Sequence, residues 1–174
     1  DVDRHVIAFG CNPIGSNDQD PLLIRFSDQE NPADWTPRTT NTAGDLRIGS
    51  GTAIVQAVET RQEILVFTDQ ALHSMQFIGP PYTFGINRVS ENITIRSPNA
   101  AVAIGDSVYW MGVDQFYVYR GNVNQLNCTV KEKVLTDINN EQSTKIFVGV
   151  NSGFQEIWWF YPSLNSDNID KYVV

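Results

Sequence analysis

The stretch that best indicates the fold is AVAIGDSVYWMGVDQFYVYR, residues 101–120. It contains three short apolar runs separated by two polar turns, at residues 105–106 and 112–114. Val, Ile, Phe, Tyr and Trp dominate the runs, as is typical of β-strands, and Gly-Asp is a pair that tolerates the positive φ of a hairpin loop. The stretch therefore predicts an antiparallel meander.

The same pattern recurs along the whole chain. Equivalent first strands lie roughly 45 to 48 residues apart, which is the spacing of one four-stranded propeller blade. A lone meander cannot bury both of its faces, so successive copies are expected to stack. We predict an all-β fold of three to four propeller-like antiparallel meanders, a partial propeller; a sandwich or barrel is the alternative. The predicted repeats are 4–50, 51–98, 99–143 and 144–174, with the last one truncated.

Two segments depart from the strand pattern. Residues 28–45 are polar and rich in Pro and Asn, and we expect a long excursion between blades that Trp35, with Pro32 and Pro37 on either side, holds in place. Residues 130–138 carry apolar side chains four positions apart, which is helical periodicity. A short helix is therefore predicted near 130–138, joining the third and fourth repeats.

The two ends of the chain suggest a piece of a longer protein. The sequence opens on DVDR, without Met or an apolar leader, and it closes on KYVV, residues 171–174, which resembles a strand cut off in mid-course. A propeller normally needs at least four blades to close. The pattern accounts for about three and a half blades, so we expect the protein to continue.

Composition and charge exclude several classes of protein. The chain has 174 residues, of which 41% are hydrophobic and 11% aromatic, as in a folded protein. Its formal net charge is −8 and its Lys and Arg residues form no stripe, so affinity for nucleic acid is not encoded. The acidity fits a solvated surface, and it also permits a surface that nucleic acid passes without sticking. No apolar run approaches the ~18 residues of a membrane span.

Residues that could carry chemistry are few. His5 and His73 are the only histidines, and His73 lies in an apolar strand, where a hydrogen-bonded core residue is expected. Cys11 and Cys128 show no CxxC spacing, so two free, packed thiols are the default, with a single disulfide left open. No hydrolase, nucleotide-binding or metalloprotease motif occurs. We predict no catalytic, cofactor-binding or metal-binding residue, no cofactor and no enzyme activity.

Two acidic pairs and a set of aromatic residues have two interpretations each. Asp18 with Asp20, and Asp28 with Glu30, lie next to Asn, Ser and Pro and are expected to form turns. Paired carboxylates can also bind calcium or act as a general acid and base. The aromatic residues are expected to fill the space between blades, although exposed rings would stack on sugars or nucleobases. Two adjacent Trp side chains cannot both face one side of a strand, so one of 158 and 159 is left for an edge or a subunit contact. These aromatic residues are Tyr109, Trp110, Tyr117, Tyr119, Trp158, Trp159, Phe160 and Tyr161.

Several short phrases of the sequence together carry a family resemblance. They are DPLLIRFSD (20–28), ENP (30–32), DWTP (34–37), NTAG (41–44), TRQEI (60–64), PYTFGI (81–86), NITI (92–95), YWMG (109–112) and EIWWFYPS (156–163). The chain resembles the tail nozzle, or tail tubular protein B, family of short-tailed bacteriophages and its packaged-DNA-stabilisation relatives.

The resemblance implies a structural protein of the virion. Such a protein bears a β-propeller and assembles as a ring, typically a hexamer, below the portal and the tail adaptor proteins. The ring holds the packaged genome in and conducts it during ejection, so DNA passes transiently without sequence-specific binding. Two other classes remain as alternatives: a carbohydrate-binding propeller module for host-surface recognition, and a hydrolase or lyase on a propeller scaffold.

Overall fold

A computed structural model describes residues 3–174 of the chain. The expectation about the start of the chain rests partly on residues 1 and 2, which lie outside the described residues. Within the described range the chain forms fourteen strands in four antiparallel sheets, one α-helix and one 3₁₀ helix. The predicted all-β class is confirmed. Every sheet is a sequential meander of three or four strands, the construction of a propeller blade.

The first two sheets belong to a compact unit that ends at Asn92. The first sheet has three strands: β1 (Ile7–Phe9), β2 (Leu23–Phe26) and β3 (Gly44–Arg47). The second sheet has four strands: β4 (Ile54–Glu59), β5 (Ile64–Thr68), β6 (Ala71–Gly79) and β7 (Thr83–Glu91).

The other two sheets belong to a second compact unit that begins at Ile93. The third sheet has four strands: β8 (Ala101–Ile104), β9 (Ser107–Met111), β10 (Phe116–Tyr119) and β11 (Val123–Gln125). The fourth sheet has three strands: β12 (Phe147–Asn151), β13 (Glu156–Tyr161) and β14 (Lys171–Val173). Helix α1 (Lys131–Asp137), followed by the 3₁₀ helix Asn140–Lys145, connects the third sheet to the fourth, so the helix predicted near 130–138 is confirmed.

The period of the chain is close to constant. The first strands of the four sheets begin at residues 7, 54, 101 and 147, so successive sheets start 47, 47 and 46 residues apart. This agrees with the spacing expected from the sequence. Each of the four repeat ranges therefore contains one sheet.

In the first unit, the two sheets pack through one face each. On β2, the alternating residues Ile24 and Phe26 point to the same side, where they join Val66, Met75 and Phe84 of the second sheet in one buried cluster. Strand β5 is buried along its whole length, which explains its uninterrupted apolar sequence ILVF.

In the second unit, aromatic residues link the third and fourth sheets. The indole N–H of Trp159 on β13 donates to the carbonyl oxygen of Ala100 at 2.9 Å, and its ring lies 5.2 Å from that of Phe116 on β10. Within the third sheet, Trp110 is completely buried and stacks on Tyr117 with ring centroids 5.2 Å apart. The prediction that bulky rings fill the space between neighbouring sheets is confirmed for Trp159.

The expected excursion at 28–45 is in the wrong place. It does not run between blades, because it connects β2 to β3 inside the first sheet, and its last two residues already belong to β3. Trp35 does hold the loop, as predicted: its indole N–H donates to the carbonyl oxygen of Pro32 at 2.8 Å, and the guanidinium of Arg25 lies 5.7 Å from its ring.

The predicted turn at residues 105–106 has the expected conformation, because Gly105 has a positive φ of 61°. The turn between β12 and β13 is longer than a two-residue hairpin loop, since β12 ends at Asn151 and β13 begins at Glu156. Its residue with positive φ is Gln155, at 55°, and Phe154 in the same turn is 77% exposed.

None of the helices in residues 3–174 is long and apolar enough to cross a bilayer.

Candidate functional site

Strand β13 sends its aromatic side chains to both faces of the fourth sheet. Because side chains alternate along a strand, Trp159 and Tyr161 share one face, and Trp158 and Phe160 share the other. Trp159 and Tyr161 are each 5% exposed, while Trp158 and Phe160 are only partly covered. Trp159 is buried and Trp158 only partly so, which confirms that the two adjacent Trp side chains face opposite sides of the strand.

Four rings gather on the open side of the fourth sheet, which we name the aromatic face: Phe147, Trp158, Phe160 and Tyr172. Phe147 on β12 pairs directly with Phe160 on β13, and their rings stack at 4.8 Å with 14° between the planes. Tyr172 on β14 stacks on Trp158 at 4.6 Å with 29° between the planes. The rings thus form a row across all three strands.

The geometry of the row determines what it can bind. The two shortest ring separations match the strand spacing of about 4.8 Å, so the rings stand upright on the sheet and stack along the direction in which the strands pair. The faces of these upright rings contact each other, and their edges point to solvent. Phe147 and Tyr172 remain 42% and 56% exposed. Such a ridged apolar surface suits packing against another protein surface better than stacking on a flat ligand.

Few polar groups accompany the aromatic face. The indole N–H of Trp158 donates a hydrogen bond of 3.0 Å to the carboxylate of Glu156, which lies on the same face. Gly149 lies opposite Trp158 on β12 and leaves a gap beside the ring of Phe160. The face therefore offers contact area and shape rather than acid–base chemistry.

The aromatic residues of the third sheet are mainly structural. Trp110, Tyr117 and Tyr119 are buried. The hydroxyl of Tyr117 donates to the carboxylate of Asp114 at 3.0 Å; burial, with the nearby carboxylate adding to it, raises the pKa of Tyr117 to about 12. Tyr109 is half-buried, and its hydroxyl accepts a hydrogen bond from Arg120 at 2.8 Å. The three buried rings offer no open face to a ligand, and the guanidinium of Arg120 lies 5.8 Å from the ring of Tyr109.

Both histidines are buried in the first unit. His73 is 5% exposed and its Nε2 lies 2.8 Å from the hydroxyl oxygen of Ser50, which confirms the hydrogen-bonded core residue expected from the sequence. His5 packs among aromatic rings, the nearest being Phe84 at 5.1 Å, and its Nε2 lies 3.2 Å from the hydroxyl oxygen of Thr42. Burial lowers the pKa of both imidazoles below the usual value.

The two cysteines are free thiols, as the default expectation had it. The Cys11 thiol points towards the backbone carbonyl oxygens of Ala8 and Leu23, at 3.7 and 3.8 Å. Burial raises the pKa of this thiol above its ordinary value, which makes it a poor nucleophile.

The acidic pairs act in turns and ion pairs. Asp20 accepts hydrogen bonds from the Nε–H of Arg47 at 2.6 Å and from the backbone N–H of Leu22 at 3.0 Å; the bond from Arg47 is the main reason that its pKa lies below the usual range. The carboxylate of Asp28 accepts a hydrogen bond from the hydroxyl of Thr42, at the far end of the long loop, at 2.7 Å. Glu30 forms an ion pair with Arg4. Among residues 3–174, no group of three or more His, Cys, Asp or Glu side chains is arranged to hold a metal ion.

Phe147 and Tyr172 are the members of the aromatic face that the sequence did not reveal. They meet Trp158 and Phe160 only through the strand register, and a register cannot be deduced from one sequence. The only local signal was the alternation of β13 itself.

Comparison with known proteins assigns no family. No family model matches the chain, and no curated protein matches it.

Proposed function

We propose that the chain is a structural segment of a tail nozzle of a short-tailed bacteriophage, assembled as a ring from several copies. In this role it takes no part in covalent chemistry. It lies in the virion, contacts other copies and the tail adaptor proteins, and borders the path along which the genome leaves.

The observation that carries this proposal is the aromatic face of the fourth sheet. The opposite face of that sheet packs against the third sheet through Trp159, so the sheet is already buried on one side. The other side leaves two rings, Phe147 and Tyr172, about half exposed beside Trp158 and Phe160. Exposed aromatic clusters of this kind are characteristic of protein–protein contacts.

Two further properties support the proposal. The four sheets repeat every 46 or 47 residues, a construction that builds extended assemblies by stacking similar units. The net charge of −8 repels DNA phosphates, so a channel wall with this composition would let DNA slide without adhering. The phrases of the sequence that resemble the tail nozzle family connect both properties to a phage tail.

Immunogold electron microscopy tests where the chain is in the particle. Antibodies raised against the purified chain are applied to particles of the phage that encodes it. We expect gold particles at the distal end of the tail. Gold over the head, or purified particles that lack the chain in a western blot, would contradict the proposal.

A pair of matched variants tests whether the aromatic face mediates assembly. F147T/Y172T removes the two most exposed rings and keeps residue types that favour strands. F154T removes an exposed ring in the turn before β13, away from the aromatic face. In analytical ultracentrifugation we expect self-association of the wild-type chain and of F154T, and a monomer for F147T/Y172T. Equal association of all three proteins would remove the aromatic face from the assembly.

The alternative function for the aromatic face is that of a carbohydrate-binding module. Sugars stack on ring faces that lie open to solvent, whereas these rings stack on each other. Saturable binding of host-surface oligosaccharides that F147T/Y172T abolishes would favour this alternative over the nozzle.

A further inference from the structure

The first sheet has one strand fewer than the second and third sheets, and no strand among residues 3–174 supplies the missing one. The constant period aligns β1 with β4 and β8, the first strands of the second and third sheets. Those sheets continue to a fourth strand, β7 and β11, whereas the first sheet stops at β3. Only residues 48–53 separate β3 from the first strand of the second sheet. A fourth strand would lie along the outer edge of β3.

The outer edge of β3 carries backbone groups that the sheet does not use. The backbone N–H of Ile48 donates to the carbonyl oxygen of Leu22 at 3.0 Å, towards β2. Backbone groups of alternate residues point to opposite edges of a strand, so Gly44 and Leu46 also bond towards β2. The N–H and C=O groups of Asp45 and Arg47 therefore point to the open edge, where a further strand would pair.

An open groove of about 940 Å³ lies beside this edge. Its apolar surface comes from Leu46 of β3 and from the β6–β7 hairpin, where Ile78 and Tyr82 are 57% and 74% exposed. In a strand added to β3, every second side chain would meet this surface. Large apolar side chains beside an unpaired strand edge are a combination that soluble proteins normally cover.

The charge at the groove is negative. Arg38 at one wall is paired with Asp34 at 2.7 Å, and Arg47 is paired with Asp20 at 2.6 Å. The carboxylate of Asp45 is exposed and has no hydrogen bond or ion pair with any residue from 3 to 174. It therefore favours a cationic side chain on whatever occupies the edge.

We propose that the outer edge of β3 receives an extended segment of a partner protein, which adds as an antiparallel fourth strand of the first sheet. Main-chain hydrogen bonds to Asp45 and Arg47 hold the segment, in the manner of peptide recognition by strand addition. Its alternate apolar side chains cover Leu46, Ile78 and Tyr82. A Lys or Arg at one of the intervening positions lies beside the carboxylate of Asp45, because residues that pair across an antiparallel ladder project on the same side. This site is independent of the aromatic face.

A synthetic peptide provides the probe. We use fluorescein-labelled Thr-Val-Lys-Val-Thr-Val-Thr with blocked ends, and measure binding to the full chain by fluorescence anisotropy. One control peptide is N-methylated at Lys and Thr, whose N–H groups face β3 in the proposed pairing, and a second is N-methylated at Val, whose N–H groups face away. We expect saturable binding that the first set of methyl groups weakens at least about fivefold and that the second set leaves nearly unchanged.

Two protein variants complete the experiment. D45P removes the outward N–H, and proline is tolerated at an edge strand where that N–H bonds nothing. D45N keeps the N–H and removes the charge. We expect binding to weaken at least about fivefold for D45P and about two- to fivefold for D45N. The methylated peptides give the same information without altering the protein, should D45P fail to fold.

Three results would overturn the proposal. The first is the absence of saturable binding. The second is equal affinity for both methylated peptides, which would mean that the edge of β3 makes no main-chain bonds. The third is self-association of the chain that D45P abolishes, because the occupant would then be a second copy rather than a partner protein.

Discussion

Gly44 occupies a position in β3 where no side chain fits. A Cβ atom built on it would lie 2.6 Å from Cζ of Phe26, whose ring belongs to the buried cluster of the first unit. Gly149 in β12 is different, since a Cβ atom there would meet its nearest neighbour, Cε2 of Phe160, at an ordinary 3.7 Å. A side chain at position 44 therefore requires the ring of Phe26 to move, whereas one at position 149 does not.

Replacing Gly44 by Ala is therefore expected to destabilise the fold, because the ring of Phe26 must move within a packed core. We expect a loss of about 1–3 kcal/mol in the free energy of unfolding, measured by urea denaturation. Gly149→Ala is the control, and a small gain of up to about 0.5 kcal/mol is expected because alanine restricts the unfolded chain more than glycine does. Equal urea midpoints for wild type and G44A would contradict the prediction.

The buried histidines give the stability of the first unit a pH dependence. Burial lowers the pKa of His5, where the charges of Asp3 and Asp28 work in the opposite direction. Burial also lowers the pKa of His73, and the positive charge of Arg88 adds to this effect. A lowered pKa means that the folded state binds protons less readily than the unfolded state.

Stability should therefore be complete above about pH 6.5 and fall as the pH drops below it, since the unfolded histidines take up protons first. The carboxylates of Asp20 and Asp28 have lowered pKa values, and their contribution to stability is lost only below about pH 5, so the window from about pH 6.5 to 5 belongs to the histidines. We expect the urea midpoint to decrease across this window, and to decrease less in His73→Gln. A midpoint that stays constant in the wild type would rule out this coupling.

At the scale of the secondary structure elements, one hydrogen-bonding motif recurs in three sheets. An Asp carboxylate accepts hydrogen bonds from both the backbone N–H and the hydroxyl of a Thr or Ser elsewhere in the chain. In each case the bonds are 2.6 to 2.8 Å long, and they hold a loop against a strand end. The pairs are Asp28 with Thr42, Asp69 with Thr52, and Asp170 with Ser163.

Asp69→Ala is expected to weaken the second sheet, because Asp69 also accepts from the backbone N–H of Ala53 and so holds the entry to β4. The control is Asp106→Ala, which removes a carboxylate from the exposed turn between β8 and β9. We expect a clear decrease of the urea midpoint for D69A and nearly none for D106A. Similar urea midpoints for the two variants would show that this hydrogen-bonding motif contributes little to stability.

The sequence predicted the inner strands better than the outer ones. Strands such as β5 and β10 are fully buried and are visible as apolar runs. The later strands β3, β7 and β11 were not found, because they expose polar residues and bury few side chains. For the same reason the long loop was assigned to the space between blades, since β3, which closes it, carries little apolar signal. The aromatic face was half predicted, because alternation along one strand is local and pairing between strands is not.

At the scale of the whole molecule, the charge is the property that can be tested most directly. The chain carries 20 acidic and 12 basic residues. Its basic side chains are in part engaged, as in the ion pairs Arg38–Asp34, Arg47–Asp20 and Lys171–Asp137. An acidic molecule without a basic stripe has no means of releasing counterions from DNA.

The chain is therefore expected not to bind duplex DNA at physiological salt, even at high protein concentration. Fluorescence anisotropy of a labelled duplex measures this, and a protein of the same size with a basic surface serves as the positive control. Saturable binding would contradict a conduit wall along which DNA slides, and would favour a role in holding DNA instead.

The stack of Trp158 on Tyr172 also gives the chain an intrinsic spectroscopic signal. Two aromatic chromophores 4.6 Å apart and nearly parallel couple electronically, so this pair should give a signal in near-ultraviolet circular dichroism. Trp110 and Trp159 are shielded from water in the core, whereas Trp158 and Trp35, which lies in the long loop, are partly hydrated. When another surface covers Trp158, its emission shifts to shorter wavelength while that of the other three Trp residues, which lie outside the aromatic face, stays constant. Association at the aromatic face can thus be followed in solution without an attached dye.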